Sequence, residues 1–307
     1  MTTQKQNPHV VVGVDGSSDN LGAVRYAVAE AAAREAVLRL VHVVPDYLPV
    51  SPMFPLTPDE LMETGTIILQ ESATLARASD PTVRVEGRLC CGTRSVRLAE
   101  AAEHAALLVV GRDARPLSHR LLRGDLATGV AARAKVPVVV VPATWEPERR
   151  GVVLVGVKAP KHAAELLAVA FATASRAGAK LVVVHAWKLP SAYDDIIEAR
   201  VDTESWRREA TLEVEALLRD GRTAYPDVEV EVRIVHDHAG HALVEASRAA
   251  DLLVIVRREH GVPAALHLGS TARTVLHAAH CPVEVVVPTH ERPTPALVTE
   301  EHGELVR

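Results

Sequence analysis

Short runs of valine, leucine and isoleucine alternate along this chain with longer alanine-rich stretches whose apolar positions return every three or four residues. The short runs predict strands: HVVVGV at 9–14, VLRLVHVV at 37–44, TVRVEGRL at 82–89, ALLVVG at 106–111 and PVVVVP at 137–142. Five more follow in the second half, VVLVGV at 152–157, KLVVVHAW at 180–187, VEVEVRIV at 228–235, DLLVIV at 251–256 and PVEVVVP at 282–288. Between them the spacing predicts helices. Over 19–35, Leu21, Val24, Ala27, Val28 and Ala31 share one face, and over 160–177 Leu166, Leu167, Val169, Ala170 and Ala174 do the same. Helices with one apolar stripe, alternating with fully apolar strands, give parallel sheets covered on both faces.

The alternation is written twice. LLVVGRDARPLSHRLLRGDLATGVAARAKVPVVVVP at 107–142 returns as LLVIVRREHGVPAALHLGSTARTVLHAAHCPVEVVVP at 252–288, and Gly124 and Gly269, like Pro137 and Pro282, stand 145 residues apart. Earlier landmarks, Gly13 with Gly156 and His42 with His185, are offset by 143, so the copies differ by a short indel. Two domains of one design are therefore expected, at 1–144 and 150–290, with PATWEPERRG at 142–151 as the linker and 291–307 as a flexible tail. PVVVVP and PVEVVVP are too apolar to remain open edges, so the last strands are expected to pack the domains together and to carry a homodimer.

Composition narrows the class. Hydrophobic residues make up 48% of the 307 and aromatics 3%, so the cores must be aliphatic and few rings are available to stack on bases. A formal charge of −5 gives no general attraction to nucleic acid or to an anionic membrane, and neither is expected as a partner. Cys90, Cys91 and Cys281 have no ligand-like spacing and read as reduced thiols. The opening MTTQKQNPHV has no apolar signal core and no apolar run reaches the roughly 18 residues of a spanning helix, so a soluble, cytoplasmic protein is expected.

In open parallel sheets ligands bind beyond the carboxyl ends of the strands, where the strand order reverses. Here that brings together GVDGSSDN at 13–20 and GRDARPLSHRLLRGD at 111–125. Asp15 can accept hydrogen bonds from ribose hydroxyls or an adenine amine, Gly111 and Gly124 let backbone amides approach phosphate, and the helix opening at residue 125 aims its positive end at the anion. The segment PDYLPVSPMFPLTP at 45–58 is either a lid or partner-docking loop or an ordinary long connection. HDHAGH, with His236, Asp237, His238 and His241, offers metal-ligating types at a spacing that matches no closed site, and no metal is assigned. His42 and His185 read as core histidines, and the Cys90-Cys91 pair as packed and inert.

GVDGS after the first strand, VHV in the second, a G-xx-G-x9-G-(S/T) loop after the fourth and (C)PVxVVP in the last resemble the universal stress protein family in its tandem two-domain form, from about residue 8 to 288. The resemblance implies two flavodoxin-like α/β domains of the adenine nucleotide alpha hydrolase-like kind, each a five-stranded parallel sheet between helices. It also implies ATP or another adenine nucleotide as a regulatory ligand, a role in the stress response, and pairing through the last strand. In the first copy the residues that fall on the binding pattern are Gly13, Val14, Asp15, Val43, Gly111, Arg112 and Gly124; Ala114 replaces the loop's second glycine and Asp125 its Ser or Thr. In the second copy Gly269 and Ser270 match, while Lys158 replaces the acid, Val256 the first glycine and Glu259 the second, so a Lys158–Glu259 ion pair across that pocket is expected.

Asp125 bears on phosphate binding, because two like charges about 4 Å apart at an effective dielectric near 20 repel by roughly 4 kcal/mol. Arg112, Arg115, Arg120, Arg123 and His119 are available to offset it, or form a solvated basic loop. Nucleotide binding is therefore expected in the first domain before the second. The competing reading is a nucleotide-free interaction protein with both pockets degenerate and a protein partner yet to be identified. No nucleophile–base pair or catalytic carboxylate pair can be defended, so an enzyme is not expected.

Overall fold

The computed structural model describes residues 8–46, 57–112, 125–158, 163–188, 203–257 and 268–288. In the first half β1 (His9–Gly13), β2 (Val37–Val44), β3 (Val85–Cys91), β4 (Leu107–Gly111) and β5 (Val138–Val141) alternate with α1 (Leu21–Ala33), α2 (Pro58–Ser79), α3 (Arg94–Ala101) and α4 (Leu126–Arg133). The second half repeats the series: β6 (Val152–Gly156), β7 (Lys180–Trp187), β8 (Val230–His236), β9 (Leu252–Val256) and β10 (Val283–Val286), with α5 (Ala163–Ala177), α6 (Thr203–Ala224), α7 (Ala239–Ala246) and α8 (Ser270–Ala278).

The strands form one ten-stranded sheet in the order β3-β2-β1-β4-β5-β10-β9-β6-β7-β8. Each half is parallel throughout, and the halves meet where β5 and β10 pair antiparallel, Val140 opposite Val283 and Val138 opposite Val285. The last strands thus join the two domains within one chain. This corrects the homodimer expected through them, since β5 and β10 each have neighbours on both sides and no open edge to offer a second copy.

Burial follows the predicted stripes. Val24, Ala27, Val28 and Ala31 of α1 are buried, as are Leu166, Leu167, Ala170 and Ala174 of α5. Leu21, expected in the same stripe, is exposed, because it stands at the first position of the helix. One aliphatic core runs along one sheet face across the domain seam, uniting Val138, Val140, Val283 and Val285 with α4 and α8. The other face carries a separate core for each half, under α1 and α2 and under α5 and α6.

On that second face the seam holds a charged residue. Glu284 is 5% exposed and lies opposite Val139, the residue that matches it in the first repeat. Burial pushes its carboxyl well above the ordinary range, against the pull of Arg34 and Arg176. Arg34 is ion-paired with Glu30, and the buried Tyr26 phenol is likewise pushed up, chiefly by burial and further by Glu284.

Candidate functional site

The strand order reverses between β1 and β4, which lie side by side in parallel. At the end of β1 the backbone is fixed before it reaches Asp15: the Val14 amide donates to Val41 O at 2.9 Å, and Val14 O accepts from His42 Nδ1 at 2.8 Å. His42 is buried and burial lowers its pKa, so it is the core histidine expected; His185 repeats the contact with Val157 O at 3.1 Å. Asp15 then stands exposed, its Oδ1 accepting from the Ser17 amide at 3.0 Å and hydroxyl at 2.7 Å. That turn needs a left-handed residue between them, supplied by Gly16 at φ +76°.

Asn20 organises the junction and was not foreseen. Its side-chain amide donates to Gly13 O at 3.0 Å, and a Cβ on Gly111 would come within 3.1 Å of the same nitrogen. One side chain therefore ties the start of α1 to the ends of β1 and β4. The closing Asn of the GVDGSSDN run was its only trace in the sequence; the second copy has Ala163 there. Gly13 serves packing, since a Cβ there would lie 3.0 Å from Leu98 Cδ1, and Gly156 repeats this against Leu243 at 2.7 Å. Val43 sends its side chain into the shared core.

The phosphate side departs most from expectation. Arg112, expected to face an anion, donates from Nη1 to Ala279 O at 2.6 Å, the carbonyl that ends α8 in the other domain. Arg257, its match in the second repeat, does the converse. Its Nη1 reaches Ala131 O at 3.1 Å, Ala132 O at 3.0 Å and Ala134 O at 2.9 Å, at the end of α4, and the residue is only 4% exposed. Each domain thus caps a helix end of the other, with a cation on the negative end of the helix dipole.

Asp125 is the N-cap of α4. Its carboxylate accepts from the Thr128 amide at 3.3 Å and from the Thr128 hydroxyl, and lies 3.4 Å from His277 Nε2 in the last turn of α8. An amide of the helix start that a phosphate would use is already taken by an internal anion. In the second domain Gly269 is the N-cap of α8, with no side-chain cap bond, and Ser270 opens the helix exposed to solvent. Lys158 is exposed at the end of β6. Asp113, Ala114, Arg115, His119, Arg120, Arg123, Gly124 and Glu259, most of the 45–58 segment and the tail lie outside the described residues. The arginine cluster and the Lys158–Glu259 pair fall there with them.

The remaining candidates resolve into structure. Asp237 Oδ2 meets His241 Nδ1 at 2.5 Å, while His236 packs its ring 4.2 Å from that of Trp187, so HDHAGH disperses its ligand types. Among the described residues no group of three His, Cys, Asp or Glu is placed to hold a metal ion. Cys90 packs against the core, but Cys91 is exposed, its Sγ 3.6 Å from Met62 Sδ, which corrects the reading of both as packed. Among the described residues no helix is long and apolar enough to cross a membrane.

The model of the universal stress protein family matches the chain twice, over residues 7–142 and 150–287. A universal stress protein of Mycobacterium tuberculosis strain H37Rv is 32% identical over 294 residues, covering 93% of this chain and 99% of that one. A second from the same strain is 28% identical over 306 residues, covering 93% and 96%. Among solved structures, a universal stress protein from Archaeoglobus fulgidus superposes with a TM-score of 0.68 at 19% identity, over 92% of this chain and 97% of that one.

Proposed function

Since the chain belongs to the universal stress protein family, as a tandem of two such domains, we propose that it is a cytoplasmic stress-response protein that binds an adenine nucleotide, ATP, in its first domain as a regulatory ligand. The observation that carries this reading is the Asp15 corner. An exposed carboxylate, held in a fixed turn by Ser17, follows β1 at the switch point, where Asn20 holds Gly13 O and packs against Gly111. Oδ1 is engaged by Ser17, and in this reading Oδ2 accepts from the ribose hydroxyls or the adenine amine. The second domain has Lys158 and Ala163 in the corresponding places and does not bind. Binding, not turnover, is the activity. A homodimer, where one forms, uses surfaces other than the last-strand edges, and the free thiols fit a reducing compartment.

A second reading is favoured by one observation: Asp125 already fills the start of α4, which suits a nucleotide-free interaction protein. Calorimetry separates the two. Saturable ATP heat in the wild type that disappears in Asp15→Ala, with AMP and cyclic AMP run beside it, supports regulation by nucleotide. A folded wild type that gives no heat at millimolar ATP leaves the interaction protein.

A further inference from the structure

Arg112 directly follows β4 and Asp125 caps the start of α4, the two ends of the proposed phosphate loop, and α8 of the other domain touches both. Asp125 Oδ2 lies 3.4 Å from His277 Nε2, and Arg112 Nη1 donates to Ala279 O at 2.6 Å. The contacts come from a single turn of α8, His277 to Ala279, in the other domain. The geometry points to an autoinhibitory contact: the last turn of α8 holds the first-domain site closed, with Asp125 as an internal anion at the helix start and Arg112 turned away onto the end of α8. This rests on the reading that the first domain takes a nucleotide there.

The chemistry runs in one direction. An arriving phosphate competes with the Asp125 carboxylate for the first-turn amides and is repelled by it, and the tie to His277 opposes displacement of that carboxylate. Phosphate also outbids a neutral carbonyl for a guanidinium, because a charge-assisted bond is the stronger one. Occupancy therefore draws Arg112 off Ala279 O and uncaps α8. Arg257 is unlike Arg112 in this respect. It is buried, reaches three carbonyls and is fixed, so the domains stay joined while the Arg112 contact changes.

The test measures ATP affinity by calorimetry and amide exchange over 274–279 with and without ATP, in the wild type, Asp125→Ser and Asp125→Asn. Asn keeps the cap without the charge, so it serves should the Ser variant fold poorly. Affinity is expected to rise at least tenfold in either variant, and exchange at the end of α8 to quicken severalfold when ATP is added. Tightening with exchange unchanged reduces Asp125 to simple repulsion and overturns the contact. Wild-type binding that neither variant improves also overturns it and leaves the proposed ligand standing. Binding in the variants alone, with quickened exchange, upholds the contact and removes ATP as a ligand of the wild type. No binding in any form overturns both.

Discussion

Replacing Arg257 with methionine keeps most of the apolar stem and removes the guanidinium that spans the domain seam. Its Nη1 carries two hydrogens and faces three carbonyls at 2.9 to 3.1 Å, so at least one hydrogen is shared and two full bonds are the fair count. Hydrogen bonds to charged groups contribute about 1.5–3 kcal/mol each, and a cation at a helix end adds about 0.3–1 kcal/mol. At 4% exposure water cannot readily replace the lost donor. The expected loss is about 3–7 kcal/mol. With an unfolding entropy of about 2.1 cal/mol/K per residue over the 307 residues, that lowers the melting temperature by about 5–11 °C. Arg112→Met, which loses the bond to Ala279 O from a half-buried side chain, should cost less, about 1.5–3 kcal/mol. Differential scanning calorimetry reads both: a single transition in the wild type, and a larger fall or a split into two transitions in Arg257→Met. A shift below about 1 °C in Arg257→Met, or a larger one in Arg112→Met, would refute the unequal reciprocal cap.

Glu284→Val restores the residue found at the matching place in the first repeat and removes a buried carboxyl, so it should stabilise by about 1–4 kcal/mol at neutral pH. Because the folded pKa is raised, the wild type is most stable below the unfolded glutamate pKa and loses stability as pH rises toward the folded value. The gain in denaturant midpoint should therefore grow from pH 4 upward, with Arg34 and Arg176 limiting it; a gain that shrinks with pH contradicts the assignment. Gly65→Ala places a Cβ 2.7 Å from Leu89 Cδ1 and 3.0 Å from His42 Cδ2, and overpacking there should cost about 1–3 kcal/mol in urea melts. Burial pushes the Cys281 thiol up to about 12, so a thiol reagent at pH 8 should label exposed Cys91 at once and Cys281 only on unfolding; prompt labelling of all three cysteines would show a looser seam.

Much of this fold is legible in the sequence because its elements are periodic. β2 and β7 fall on the predicted residues, since the valine and leucine runs, broken only by Arg39 and His42 in one and His185 in the other, are too short and too β-branched for a helix. β3 begins three residues later than TVRVEGRL suggests, because Asp80 Oδ1 captures the Thr82 amide at 2.9 Å and holds the chain in a turn. β8 likewise starts after Val228 has closed a turn onto Tyr225 O at 3.2 Å. The candidate site is legible only in part. Asp15 and Gly111 lie at the ends of adjacent strands, where topology requires them. Arg112 and Asp125 read locally as parts of a phosphate loop, but their partners Ala279 and His277 belong to the other repeat. Only the antiparallel β5–β10 pairing brings those partners near; the apolar last strands announce that the domains meet there, but not which residues of one repeat come to face the other.

The central claim is asymmetry: one fold made twice with a single working site. Equilibrium dialysis of the full chain against labelled ATP tests it most directly. The account predicts saturation at one ATP per chain, abolished by Asp15→Ala. Two per chain, or one that survives Asp15→Ala, would contradict it.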